Sequence, residues 1–268
     1  MHQTQLKDSE FKLFQSWLHQ STGINLSSAK KALVAGRLSK RLKHLDLKSF
    51  GDYFQFIRSH AAAEELQIAI DLLTTNETYF FREPKHFEFM SEKILPTLIP
   101  AKKFRVWSAA SSSGEEAYSI AMTLANELTS TAWEIFGSDI STDMLRIARG
   151  GHYPIARART IPTDMLSKYC LKGTGGQEGT FLVERNLRNK VSFAQINLNE
   201  NLPDVGQFDL IFIRNVMIYF DQDTKCKVIE RLLPHLKSGG YLFVSHSESL
   251  NGITDRLQII SPSIYKKP

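Results

Sequence analysis

The feature that most constrains this chain is a change of rhythm at Phe104. From there to the end, short apolar runs alternate with amphipathic stretches of helical period. That alternation demands a mostly parallel sheet covered by helices. Strands are expected near 104–109, 133–138, 191–196, 208–213 and 240–245, and helices near 115–128, 141–150 and 222–236. Leu257 to Tyr265 would add two strands at the sheet edge. The first strand, Phe104-Arg105-Val106-Trp107, breaks into SAASSSGEEAYS, Ser108 to Ser119. A strand that runs through small residues into a helix lets the backbone approach a ligand and points free N–H groups at it. The next strand, Trp133 to Ser138, ends in Asp139, where a doubly wound fold places the acid that receives two ribose hydroxyls. An adenosine-containing cofactor is therefore expected. The competing reading of Asp139 is a loop or cap residue.

The first ~75 residues carry almost no strand signal. Phe11, Phe14, Trp17 and Leu18 recur at helical spacing, and Thr22-Gly23-Ile24 marks a turn. Further helices are expected from Ser28 to about His44, around Tyr53, Phe54 and Ile57 after a break at Gly51, and from Ala62 to Leu73. Between Lys30 and Lys48 stand seven Lys or Arg against one acid, Asp46, so this stretch alone exceeds the formal +5 of the whole chain. If the helix persists to Lys48, then Lys30, Arg37, Lys40, Arg41, His44 and Lys48 share about 100° of arc beside the apolar stripe Val34, Leu38, Leu42 and Leu45. This is either a solvated face or a docking ridge for an acidic partner. No aromatic platform interleaves with these charges, so a nucleic-acid partner is not expected.

Three further motifs offer polar groups to the same crevice. In Ser113-Gly114-Glu115-Glu116, the last residue could close a capping box on Ser113, or accept from a cofactor's amino group. In FDLIFIRNVMIYFD, Phe208 to Asp221, an apolar strand delivers Arg214 and Asn215 to the carboxyl edge of the sheet, followed by Tyr219 and an N-cap expected at Asp221. Asn215 and Tyr219 are substrate-contact candidates, or else loop filler with a partly buried tyrosine. TTNETYFFRE, Thr74 to Glu83, joins the helical and α/β parts and supplies Asn76, Thr78 and Arg82. Such junctions commonly line ligand clefts. Between Lys172 and Val191, four glycines followed by Phe181-Leu182-Val183 suggest an inserted β-hairpin.

Composition excludes several classes. Hydrophobic content of 42% and charged content of 23% are those of a soluble globular protein. No apolar run approaches the ~20 residues that cross a bilayer, and MHQTQLKDSEF lacks the apolar core of a signal peptide. Two cysteines, Cys170 and Cys226, make neither a disulfide framework nor a metal-ligand pattern. A cytoplasmic protein that is not membrane-inserted and holds no metal is expected.

Taken together, TTNETYFFRE, RVWSAASSSGEEAYSIAMTLA, FGSDIS, Ile196-Asn197-Leu198, FDLIFIRNVMIYFD and SHSES at Ser245 to Ser249 resemble the CheR-type chemotaxis receptor glutamate methyltransferases. The resemblance implies a class I S-adenosylmethionine-dependent methyltransferase: a Rossmann-like α/β fold with a small all-α N-terminal domain (1–75), a linker (76–103) and a methyltransferase domain (104–268) bearing a β-hairpin near 172–191. It implies S-adenosylmethionine as donor and S-adenosylhomocysteine as product. Position by position, it puts Asn76, Thr78 and Arg82 near the methionine end, Glu116 at the amino group and Asp139 at the ribose. Asn197 and Leu198 would flank the adenine, Arg214 and Asn215 would close the pocket, and Arg82 and Tyr219 would lie nearest the transferring methyl. The implied partners are the glutamate-bearing cytoplasmic helices of a chemoreceptor, met by the basic ridge, and a receptor C-terminal peptide met by the hairpin. Ala117 stands where the family usually has proline; alanine is a good helix former, so little change is expected there.

Rival readings are another class I methyltransferase, acting on nucleic acid or a small molecule, and a non-catalytic cofactor-binding regulator. The stretch after the fourth strand reads Arg-Asn-Val-Met-Ile-Tyr rather than the Asn/Asp-Pro-Pro-aromatic of amino-methylating nucleic-acid enzymes. A nicotinamide dehydrogenase is disfavoured because the first turn lacks GxGxxG.

Overall fold

The computed structural model describes residues 5–59, 63–98, 102–128 and 132–268. Four helices build the N-terminal part: α1 (Asp8–Thr22), α2 (Lys31–His44), α3 (Phe50–Ile57) and α4 (Ala63–Leu73). Ala62, the expected first residue of α4, lies outside the described residues. Phe11, Phe14, Leu18, Val34, Leu38, Leu42, Tyr53 and Leu73 close into one apolar core of their own, as the helical spacing requires. Gly51 does not break α3 but lies within its first turn; Ser49 caps that helix by accepting from the Asp52 N–H. A short helix, α5 (Lys85–Phe89), leads on to the sheet.

The sheet strands are β1 (Phe104–Ser108), β2 (Trp133–Asp139), β6 (Val191–Gln195), β7 (Phe208–Phe212), β8 (Leu236–Phe243), β9 (Gln258–Ser261) and β10 (Ile264–Lys266). Their spatial order is β6-β2-β1-β7-β8-β10-β9. The first five run parallel, and β10 is antiparallel to both of its neighbours. Helices α6 (Glu115–Glu127), α7 (Thr142–Gly150) and α10 (Gln222–Leu232) are the crossovers. Both faces of the sheet are covered, so the central strands turn apolar side chains to both sides, with Arg105, Glu134 and Asp209 paired together near their amino ends. Val106, Leu210 and Phe212 enter one core, while Trp107, Ile211 and Val244 enter the other.

The insertion is larger than a hairpin. Strands β3 (His152–Pro154), β4 (Cys170–Lys172) and β5 (Thr180–Val183) form a three-stranded antiparallel sheet with β5 in the middle. The turn unit begins at Cys170, two residues before the expected start. It stops at Val183, because 185–188 turn into helix α9 (Arg185–Arg188), which follows α8 (Thr163–Tyr169) in the chain. β3 is too short and too polar, His-Tyr-Pro, to announce itself by period.

Candidate active site

The chain leaves β1 toward β2 and β6 on one side, and leaves β7 toward β8 on the other. The carboxyl ends of β1 and β7 are therefore a topological switch point, where an open α/β sheet leaves a crevice. A cleft of about 1040 Å³, counted out to solvent, opens there. Its walls contain all ten residues assigned to the crevice from the sequence: Asn76, Thr78, Arg82, Glu116, Asp139, Asn197, Leu198, Arg214, Asn215 and Tyr219.

The turn after β1 shapes the floor. Gly114, not Ser113, is the N-cap of α6, with φ 95° and no side-chain cap. A Cβ on Gly114 would stand 2.9 Å from Cβ of Ala148, so glycine is needed both for the left-handed conformation and for the close approach of α7. The capping-box reading of Glu116 therefore fails. Its carboxylate instead accepts from Oγ of Ser108 at 2.7 Å and from Nη1 of Arg214 at 3.1 Å. Burial raises the pKa of Glu116, and Arg214 and Ser108 oppose that rise.

Asp139 ends β2 as expected and accepts from the backbone N–H of Ser112 at 2.8 Å and of Ser141 at 2.9 Å. Burial raises its pKa, and the backbone N–H groups of Ser141, Ser112 and Ile140 oppose the rise. Two backbone donors fix the carboxylate in place and leave it further lone pairs for a diol. Ser112 holds its N–H on Asp139 from a positive φ of 47°, with its Oγ donating to the carbonyl of Asn76 at 3.1 Å.

Arg214 is the buried cation of the site. Besides Glu116, it reaches Oε2 of Glu83 at 3.2 Å and donates to the carbonyl of Arg82 at 2.6 Å. Its guanidinium lies beside the stacked rings of Phe87 and Phe212, about equally far from both. Arg82 is different: it is half-buried, donates to the carbonyl of Glu77 at 2.8 Å, and lies over the ring of Tyr79. Phe81 and Glu83 on either side have φ of 54° and 58°, and Asn215 across the cleft has 58°. Non-glycine residues held at positive φ around a cleft are a sign of imposed geometry. Phe80 anchors the segment by packing edge-on against Tyr153 and beside Phe181.

Glu83, His86 and His246 bring ligand atoms within 4.8 Å of one another. The same Glu83 oxygen, however, already takes the Arg214 guanidinium and accepts from the His246 backbone N–H at 3.2 Å. The group reads as an anchor for Arg214.

The helical part closes one side of the cleft, which sequence reasoning missed. Thr22, Ile24, Leu26 and Lys30 line it. Ile24 bridges Phe220, the N–H of Asn25 donates to the carbonyl of Tyr219 at 2.8 Å, and the side chain of Asn197 donates to the carbonyl of Ser21 at 2.7 Å. Ser108, Glu83 and Glu248 were also missed as site-shaping residues. Only the contact across chain segments reveals them, although Glu83, Ser108 and Glu248 all lie within the motifs of the sequence.

The basic ridge is not uniform. Helix α2 ends at His44 and Asp46 turns the chain at φ 52°, so Lys48 stands off the helix. Arg37 donates to the carbonyls of Leu72 and Thr74 at the end of α4. Arg41 grips Glu65, which Tyr53 also approaches. Lys30 lies over the ring of Tyr219, 5.1 Å from its centroid. Lys40, His44 and Lys48 are exposed.

The residues fit a donor that carries an amino acid and an adenosine: the carboxylate of Glu116 suits an ammonium and that of Asp139 a diol, and the small residues Ala109, Ala110 and Ser112 line the same cleft. Comparison with known proteins agrees. The family described as CheR methyltransferase, SAM binding domain, matches residues 76–266, and the CheR methyltransferase all-alpha domain matches 9–74. The chemotaxis protein methyltransferase of Escherichia coli is 40% identical over 263 residues, covering 97% of this chain and 91% of that one. Chemotaxis protein methyltransferase 2 of Pseudomonas aeruginosa is 39% identical (96% and 92% covered), and the chemotaxis protein methyltransferase of Borreliella burgdorferi is 40% identical (93% and 91% covered). The chain belongs to the CheR methyltransferase family, and its cofactor is S-adenosylmethionine.

Proposed function

We propose that this protein methylates glutamate side-chain carboxylates on the cytoplasmic helices of a chemoreceptor, as the adaptation step of chemotaxis. The observation that carries this reading is the state of Arg82. It lines the donor's cleft together with Tyr219, yet among the described residues it makes no ion pair within 4.0 Å. A cation left free beside a donor pocket suits an anionic acceptor.

When bound, the cofactor supplies a methyl group on a positively charged sulfur. The chain's residues need only bring an acceptor to it. Glutamate, with an ordinary pKa of about 4.3, is already ionised at neutral pH, so no general base is required. Positioning alone can contribute roughly 7–11 kcal/mol. Glu116 and Asp139 would fix the donor's ends, with Asn197 and Leu198 beside the adenine and Asn76, Thr78 and Asn215 along the methionine side. Arg82 would orient the acceptor carboxylate by a fork of donors without neutralising it fully. Tyr219, whose hydroxyl takes part in none of the hydrogen bonds among the described residues, would donate to the same carboxylate or pack beside the methyl.

Lys30, Lys40, His44 and Lys48 would meet the acidic receptor helix, Lys30 at the cleft mouth and the others outside it. Arg37 and Arg41 would contribute field while holding α4. The three-stranded insertion would offer a strand edge to a receptor C-terminal peptide. No described helix is long and apolar enough to cross a membrane, in keeping with a substrate approached from its soluble side. The test is transfer of labelled methyl from S-adenosylmethionine to chemoreceptor-bearing membranes. A methyl ester releases volatile methanol in alkali. Label that resists alkali, or that goes to nucleic acid instead, overturns the reading.

A further inference from the structure

One loop ties together the two arms of the cleft that carry Arg82 and Tyr219. Ser245–Glu248 follows β8 and meets both. On one side, the backbone N–H of His246 donates to Glu83 at 3.2 Å, and Glu83 pairs with Arg214, which in turn holds the Arg82 carbonyl. On the other side, the Glu248 carboxylate accepts from three backbone N–H groups. Oε2 takes those of Asn215 at 3.0 Å and of its own loop's Ser245 at 2.9 Å, and Oε1 takes that of Ile218 at 3.2 Å. Charge-assisted bonds of this kind are roughly twice as strong as neutral ones.

The held segment needs such a restraint. Asn215 sits at φ 58°, left-handed backbone that asparagine tolerates better than most side chains but that is held here only within its local contacts. The following turn, Met217–Tyr219, is a single short 3₁₀ helix without a side-chain cap. Left alone, such a turn frays. The carboxylate of Glu248 restrains it through the Ile218 N–H, one residue before Tyr219, while the Asn25 N–H holds the Tyr219 carbonyl from the helical part.

We propose that Glu248 is a positioning residue for methyl transfer: through Asn215 and Ile218 it sets the Tyr219 hydroxyl at a fixed offset from Arg82. This rests on the reading above that Tyr219 faces the acceptor. Glutamine at 248 fills the same volume, but only its carbonyl can accept. With that oxygen on Asn215 and Ser245, its amide would face the Ile218 N–H, donor against donor, and release the turn. A displacement near 1 Å at a reacting group can cost on the order of 100-fold in rate.

The experiment is a double-mutant cycle on the full chain with Glu248→Gln and Tyr219→Phe, read as kcat, KM for S-adenosylmethionine, and thermal midpoint. Glu248→Gln alone is expected to lower kcat by about tenfold or more, with cofactor KM changed by less than about threefold. In the Tyr219→Phe background the same substitution should change kcat by less than about twofold, because residues acting through one another are not additive. An equal fold-loss in both backgrounds, or a Glu248→Gln enzyme at the wild-type rate, overturns the positioning role and leaves Tyr219's role standing. A Tyr219→Phe enzyme at the wild-type rate overturns the role of the Tyr219 hydroxyl, and this proposal with it. Should Glu248→Gln lower the thermal midpoint enough to unfold at the assay temperature, Glu248→Asp takes its place in the same cycle under the same criteria.

Discussion

Arg82 and Arg214 line one cleft and lead opposite electrostatic lives. Arg214 is buried against two aromatic rings, with Glu83 and Glu116 as counter-ions and the Arg82 carbonyl as a third partner. Arg82 spends one donor on a backbone carbonyl and leans on Tyr79. A guanidinium saturated inside the protein serves architecture. One left with spare donors at a cleft serves what arrives there. Under the proposed function, Arg214 would set where Glu116 stands for the cofactor, and Arg82 would remain for the acceptor.

The largest effect that would break this contrast is on Arg214. Replacing it with methionine strands two carboxylates, and loss of one partner from a buried pair costs about 3–5 kcal/mol. Arg214→Met is expected to unfold at markedly lower denaturant and to lose cofactor binding, checked by chemical denaturation and calorimetry. A stable variant that binds cofactor normally would make Arg214 dispensable.

Glu116→Gln comes next. It keeps the shape but removes the charge offered to an ammonium, and calorimetry should show cofactor affinity down by about tenfold or more, a charged hydrogen bond being worth about 1.5–3 kcal/mol. Acceptor KM should hold.

A smaller effect concerns acid. Burial, with Arg214 and His246 nearby, depresses His86 to about 3 from 6.5. The unfolded chain then binds a proton that the folded one refuses, so stability falls as pH drops below 6.5 and continues falling toward 3. At pH 5.5, one unit below the unfolded value, this amounts to about 1.4 kcal/mol. Stability curves of wild type and His86→Gln should converge with falling pH; parallel curves would contradict it.

Smallest is the outer charge. Lys40→Glu with Lys48→Glu should weaken receptor methylation a few-fold and blunt its salt sensitivity, with thermal midpoint unchanged, since rim charges act on encounter. Arg37→Glu with Arg41→Glu should lower the thermal midpoint as well, because both hold α4.

The cleft was legible in the sequence because each of its predicted residues stands on the interdomain segment, at the carboxyl end of a strand, or on the turn or first helical turn that follows it, and parallel topology alone gathers those ends. Asp139 and Asn215 needed nothing but chain order. The ridge was less legible, since an arc of charges says nothing of the neighbouring helix: Glu65 and the carbonyls of Leu72 and Thr74 claim Arg41 and Arg37. Gly114 displaced Ser113 as cap because α7 packs against that turn, a tertiary contact absent from any local window. The contribution of Thr22 to Lys30 to the cleft and the third strand of the insertion were illegible for the same reason.

Arg82→Ala tests the central division of labour most directly, by measuring cofactor affinity and methyl-transfer rate on one preparation. Cofactor binding close to wild type with transfer slowed by about 100-fold is the expected result. Transfer at the wild-type rate, or a loss confined to cofactor affinity, would contradict it.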